Sequence, residues 1–221
     1  LTIGAYAVYD DNPANADVYG NLYNWLVVND NHDICPEGWS IPSNDAYIYL
    51  STYLGGMETS GGEVKTRGTL EGGDGLWLAP NEGATNTSGF SAIPSGSRSG
   101  WSEGSEGYSQ QYNKTVFWTS ECDIEEDGIC TFPFVAMLTS WDQMFWLNGN
   151  SRPTSGVSIR CIADEIIYGC TDPEATNYIE DANVDSDSCE YIENYDIEFE
   201  EIEISSNACG AYSVFAADVD S

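Results

Sequence analysis

The chain has 221 residues, and its 37 acidic side chains against 6 basic ones give a formal net charge of -31. Phosphate backbones and anionic lipid headgroups would add like charge to like, so nucleic acid and bare membrane are excluded as partners. Aromatics at 13% and hydrophobics at 41% are too abundant for a disordered acidic tail, so the length suits one large domain with appendages. No run approaches 18 apolar residues and no basic, apolar, small-residue leader opens the chain at Leu1, so membrane insertion is not expected and any leader is expected to have been removed or left out.

In chain order, the polar run NDNHD around His32, the one histidine, reads as a solvated loop. That leaves a Ser-His-Asp or Cys-His arrangement without a placed base. The segment IPSNDAYIYLSTYLGG then predicts a helix, with Ser43 as N-cap and Asp45 in the first turn. Ala46, Tyr49, Leu50, Tyr53 and Leu54 recur at helical spacing and are expected to form the buried stripe, before Gly55 and Gly56 end the pattern. The runs TVFWTSE, PFVAMLTSW, MFWLNG and GVSIRCIA are rich in β-branched and aromatic residues between turn formers, and are expected to be strands. One helix before a run of strands gives an α+β class.

Composition shifts near Ala163 to Tyr168: all six basic residues precede residue 164, whereas 17 of the 37 acidic residues lie from there on. We expect a domain over 1–164, a small acidic unit over 168–192, and a β-prone acidic segment over 193–221. In the last, YDIEFEEIEIS alternates Ile197, Phe199, Ile202 and Ile204 with acids, as the first strand of a further domain or an added edge strand.

Seven cysteines without a CxxC and with a single histidine favour disulfides over a metal site or a catalytic thiol. Their spacing suggests Cys35 with Cys161, Cys122 with Cys130 and Cys170 with Cys189, leaving Cys209 over. In the chain-entropy account the first, closing about 127 residues, is worth roughly 5 kcal/mol and the third, closing about 20, roughly 3 kcal/mol. Such usage leads us to expect a chain outside the cytoplasm.

The strings GAYAVYDDNPANADVYGNLYNW, ICPEGWSIPSNDAYIYLSTYLGG, ATNTSGFSAIPSGSR, VFWTSE and GVSIRC follow one another in an order that resembles the Fibrobacter succinogenes major paralogous domain. That family is similar to the formylglycine-generating, sulfatase-modifying group. The resemblance implies a C-type-lectin-like α+β domain over residues 1 to about 163, extracytoplasmic and closed by Cys35 and Cys161. Val8 and Ala16 stand where members often carry a cysteine pair, and Phe117 where a tryptophan is usual. The string GCTDPEATNYIEDANVDSDSCEY resembles a short repeat of large secreted and virion-associated proteins. In the resembling family an opening strand precedes the GAY segment and pairs with the closing one. Since GAY begins at Gly4, the closing strand GVSIRCIA is expected to lack its partner and to need cover from elsewhere.

The formylglycine-generating relatives use reactive cysteines, whereas the cysteines of residues 1–163 are accounted for as structural pairs, so no enzymatic activity is expected. Calcium takes six to eight oxygens, and Asp172, Asn177, Asp185, Asp187 and Glu190 inside the Cys170–Cys189 closure are the candidate structural ligands. Glu121, Asp123, Glu125, Glu126 and Asp127 form a second such cluster around the Cys122–Cys130 loop. For a glycan or protein ligand the candidates are Trp101, Tyr108, Tyr112, Trp141 and Arg152, in the half where lectin-like folds place their binding loops. Trp118 and Trp146 are expected in the core and Trp101 in solvent. Sequons at Asn86 and Asn113 matter only in a host that glycosylates them. The function expected is surface recognition or adhesion. The alternative is a self-assembling subunit of a virion fibre, capsid decoration or filament, favoured by an unpaired Cys209 and a β-prone tail.

Overall fold

Short apolar runs cut by glycine and asparagine give short elements. In the computed structural model, residues 3–29, 34–99, 107–126, 129–165 and 167–191 are described, and the chain divides into two units, Leu1–Ile166 and Ile167–Ser221. The first unit begins with β1 (Tyr6–Ala7), a 3-10 turn at Tyr9–Asp11, α1 (Ala14–Tyr19), β2 (Leu22–Tyr23) and α2 (Trp25–Val28). Next come β3 (Trp39–Ser40), α3 (Asn44–Tyr53), α4 (Ser60–Val64), β4 (Ser97–Arg98) and β5 (Tyr108–Ser109). It closes with β6 (Lys114–Glu126), β7 (Ile129–Thr139), β8 (Trp146–Asn150) and β9 (Ile162–Ala163). This is an α+β unit with few helices and many short strands.

Period-two alternation builds its centre, the antiparallel sheet β6-β7-β8. Val116 lies opposite Met137 and Trp118 opposite Val135. One face puts Phe117, Ala136, Leu138 and Leu147 against Tyr47, Val64, Trp77, Ala92 and Phe145. The other puts Val116, Trp118 and Val135 against Trp25 and Val157. Fully buried Trp118 meets Trp25 edge-on at 5.6 Å and donates its indole N–H to the Tyr23 oxygen at 2.8 Å. Trp146, expected in the core, is instead 41% exposed: its indole N–H reaches the Asp142 carboxylate at the sheet margin.

The closing segment corrects a further expectation. Val157 exchanges both backbone hydrogen bonds with Tyr23, at 2.7 and 3.0 Å, while Ser158 donates to Val116 and accepts from Trp118. Both edges of the segment are therefore occupied from within the unit, and no strand from elsewhere is called for. Further on, β9 pairs with β3, Trp39 opposite Ala163.

Helix α3 forms where expected. The Ser43 hydroxyl accepts from the Ala46 N–H, and the Glu121 carboxylate accepts from the Asn44 N–H at 2.8 Å, placing negative charge at the helix start. The Asn44 amide also reaches Asn148 Oδ1. These ties to β6 and β8 fix the helix's rotation, and the buried face is not the expected one. Tyr47 and Ser51 point to the sheet and Leu50 and Leu54 pack beside it, whereas Tyr49 and Tyr53 are 75% and 79% exposed. Ser51 is small enough to meet the Ser60 hydroxyl of α4 at 2.9 Å. A Cβ on Gly61 would run into the Met144 carbonyl, and one on Gly62 into that of Gly83, so α4 needs both glycines to seat itself.

Directly after α4, Lys65 is fully buried. Its Nζ donates to the main-chain oxygens of Glu82, Thr139 and Asp142 at 2.8–2.9 Å and lies 5.6 Å from the Trp77 ring centroid. Nothing in the hydropathy pattern marks this residue as interior.

In the second unit, β10 (Tyr168–Gly169) and β11 (Val184–Asp185) pair in parallel. Disulfides join Cys35 to Cys161, Cys122 to Cys130 and Cys170 to Cys189. No helix among the described residues is long and apolar enough to cross a membrane. Trp101, His32, Asp127, Cys209 and the run YDIEFEEIEIS lie outside the described residues, as do the side chains of Glu125 and Glu126.

Candidate functional site

The Cys35–Cys161 bridge and the β3–β9 ladder hold one wall of a groove whose other wall is α3. The turn before β3 is set by Gly38 at φ 76°, whose oxygen accepts from the Asp164 N–H at 2.9 Å. Ala46, Tyr47, Tyr49 and Leu50 of α3, together with Trp39, Pro42, Phe90 and the run from Arg160 to Ala163, line the groove. Its volume is about 520 Å³, against about 320, 260 and 290 Å³ for three other hollows.

Apolar atoms dominate this lining, yet several of the side chains face water: Trp39 and Ile162 are about two-fifths exposed and Tyr49 three-quarters. Tyr53 continues the aromatic ridge one turn along α3. The one charged group in the groove wall is Arg160, whose guanidinium lies 4.5 Å from the Phe90 ring centroid. Tyr47 is almost fully buried, and its hydroxyl has no hydrogen-bond partner among the described residues. Burial pushes that hydroxyl's pKa up, with the Arg160 charge acting the other way, so it stays a neutral donor at physiological pH. Such a site can hold an apolar group beside the N–H donors of one guanidinium. Among the described residues of its wall there is no nucleophile beside a base.

The residues expected to bind a ligand lie in other surroundings. Tyr108 donates its hydroxyl to Asp11 at 2.6 Å, with its ring 5.1 Å from that of Tyr9 and the Arg98 guanidinium over it. Burial and the Asp11 hydrogen bond both push its hydroxyl pKa up. Tyr112 packs edge-on to Tyr19. Trp141 is exposed just past β7, and Arg152 is exposed past β8. Helical spacing alone points away from the groove, since it assigns Tyr49 to the core. The Tyr49/Tyr53 pair, four residues apart, marks one face of the helix, but nothing local in the sequence says that this face is the outer one.

The expected calcium ligands are engaged with one another's neighbours. Asp172 accepts from the Glu174 N–H and the Tyr191 hydroxyl, which hold its carboxyl below the usual carboxylate range. Asn177 donates to the Ser188 oxygen and accepts from the Glu190 N–H, and Asp185 accepts from the Asp187 N–H. Among the described residues no three of His, Cys, Asp and Glu gather as a metal-holding group. In the other acidic cluster Glu121 caps α3 and Asp123 accepts from Asn150. The Asn86 side chain is used in its own turn, bonded to Ser91, and Asn113 accepts from the Ser140 hydroxyl.

Residues 1–163 match the family model described as the Fibrobacter succinogenes major domain. No curated protein and no solved structure matches the chain.

Proposed function

The chain belongs to the Fibrobacter succinogenes major domain family through residues 1–163, and from that membership we propose that it is a non-enzymatic extracellular recognition module that contacts its partner through the groove between α3 and the β3–β9 ladder. In this reading the α+β unit is a C-type-lectin-like scaffold, and the partner is a glycan or a protein surface. Three disulfides and the absence of a membrane-crossing helix among the described residues are compatible with a place outside the cell. Six of the seven cysteines are paired, which supports a structural rather than a catalytic role for them.

The observation that carries the proposal is the exposure of Trp39, Tyr49 and Ile162 around one apolar groove. Aromatic anchors at a concave apolar site are where binding free energy concentrates, and removing one costs about 2 kcal/mol or more. The test is retention on glycan and peptide arrays by the wild type, Tyr49→Ala, Trp39→Ala and Trp141→Ala, with native size measured alongside. Loss in the first two variants alone supports the groove. Loss in Trp141→Ala alone moves the site to the later loops. Ordered oligomers of the chain without ligand, dispersed by Tyr49→Ala, assign the face to self-assembly.

A further inference from the structure

We propose that the groove takes a polypeptide segment in which an apolar side chain neighbours a carboxylate, the apolar group seated against Trp39, Tyr49 and Ile162 and the carboxylate held by Arg160. The inference rests on the groove being the recognition surface and adds the chemistry of its occupant.

Arg160 carries the argument. The chain has 37 acidic side chains and only 6 basic ones, yet among the described residues no carboxylate pairs with this guanidinium, whose recorded partner is the face of Phe90. A guanidinium held over a ring can still present an N–H edge to a carboxylate in a two-pronged hydrogen bond. The Tyr47 hydroxyl in the same wall is buried and closed to an occupant, so Arg160 is the polar group the groove presents. Around the guanidinium the wall is apolar, so it suits an aliphatic or aromatic side chain better than a hydroxyl-rich ring.

The overall charge of -31 makes the proposal sharply testable. The general field of the chain attracts cationic peptides and repels anionic ones. An acidic preference therefore has to come from a local cation. The probe is an array of eight-residue peptides, each with one Phe, Trp, Leu or Ile beside Glu, Gln or Lys, with uronate oligosaccharides on the same surface, at 0.15 M salt. The expected result is retention on Glu spots about tenfold above Gln spots and above Lys spots, a difference of about 1.4 kcal/mol. Arg160→Gln should abolish that preference, and Arg160→Lys should keep part of it.

Equal retention on Glu and Gln spots, or the order Lys over Gln over Glu, overturns the role of Arg160 while leaving an apolar recognition groove standing. Retention on uronate sugars and on no peptide overturns the polypeptide occupant. No retention on any spot overturns both this inference and the recognition reading beneath it. Because the Glu-to-Gln comparison uses the wild type, it holds even if an Arg160 variant folds poorly.

Discussion

Lys65 donates its ammonium proton to the main-chain oxygen of Thr139 at 2.8 Å, joining the residue after α4 to the end of β7 across 74 positions of sequence. With its bonds to the Glu82 and Asp142 oxygens, this one side chain ties three stretches of backbone together. Lys65→Met keeps the length and removes the donors. With each buried carbonyl left unpaired costing about 1 to 3 kcal/mol, the variant should lose at least about 3 kcal/mol in denaturant unfolding. A loss under about 1 kcal/mol would show that water replaces the ammonium.

The same lysine gives the chain a pH signature. Burial lowers its pKa from 10.5 to about 8, against the opposing pull of Asp142 and Glu82, and burial also lowers that of Lys114. Between those values the unfolded chain binds more protons than the folded one, so this contribution to stability rises as pH climbs from about 8 toward 10. Tyr9, Tyr19, Tyr47 and Tyr108, raised above 10.0 chiefly by burial, act the other way: above pH 10 the folded chain keeps protons the unfolded one has lost, and stability falls. Carbon NMR of the two lysine side chains should find both titrating below the ordinary range, Lys65 near pH 8. A Lys65 midpoint at 10.5 would contradict its burial.

Two tyrosines two positions apart should respond in opposite ways. Tyr49→Ala removes a ring that faces water, and unfolding free energy should stay within about 0.5 kcal/mol. Tyr47→Ala empties the core beside Phe117 and Phe145 and should cost about 3 to 5 kcal/mol. Tyr47→Phe removes only the unpartnered hydroxyl and should be neutral or stabilising. A destabilised Tyr47→Phe would reveal a hydrogen bond in the free protein.

What the sequence conveys is the part ruled by short-range periodicity. Alternation at 115–121 and 133–139 marks β6 and β7, and Ser43 with the double glycine bounds α3. The helix's inward face is not legible, because Glu121 and Asn148, about 80 and 100 residues away, set its rotation. Trp146 misleads for a related reason: its indole is satisfied by Asp142 at the surface, a contact hydropathy does not register. Lys65 is buried against carbonyls, which every residue has and no pattern displays. Arg160 acquires meaning only when the fold brings Phe90 and Tyr47 to it.

Side-chain hydrogen bonds already hold the turns of the loop closed by Cys170 and Cys189. Asp172 bonds Glu174 and Tyr191, and Asn177 bonds Ser188 and Glu190. Hydrogen exchange across 170–191 should therefore be equal in calcium and in chelator at constant ionic strength. Slower exchange in calcium alone would identify Asp172, Asn177, Asp185, Asp187 and Glu190 as ligands.

The central claim, that the chain meets its partner in the groove, is tested most directly by amide and side-chain shift mapping with the tightest array ligand. The largest changes should fall on Trp39, Tyr49, Phe90 and residues 160–163, with Tyr108, Trp141 and Arg152 unmoved. Changes centred on Tyr108, Tyr112, Trp141 or Arg152, with the groove silent, would contradict the account.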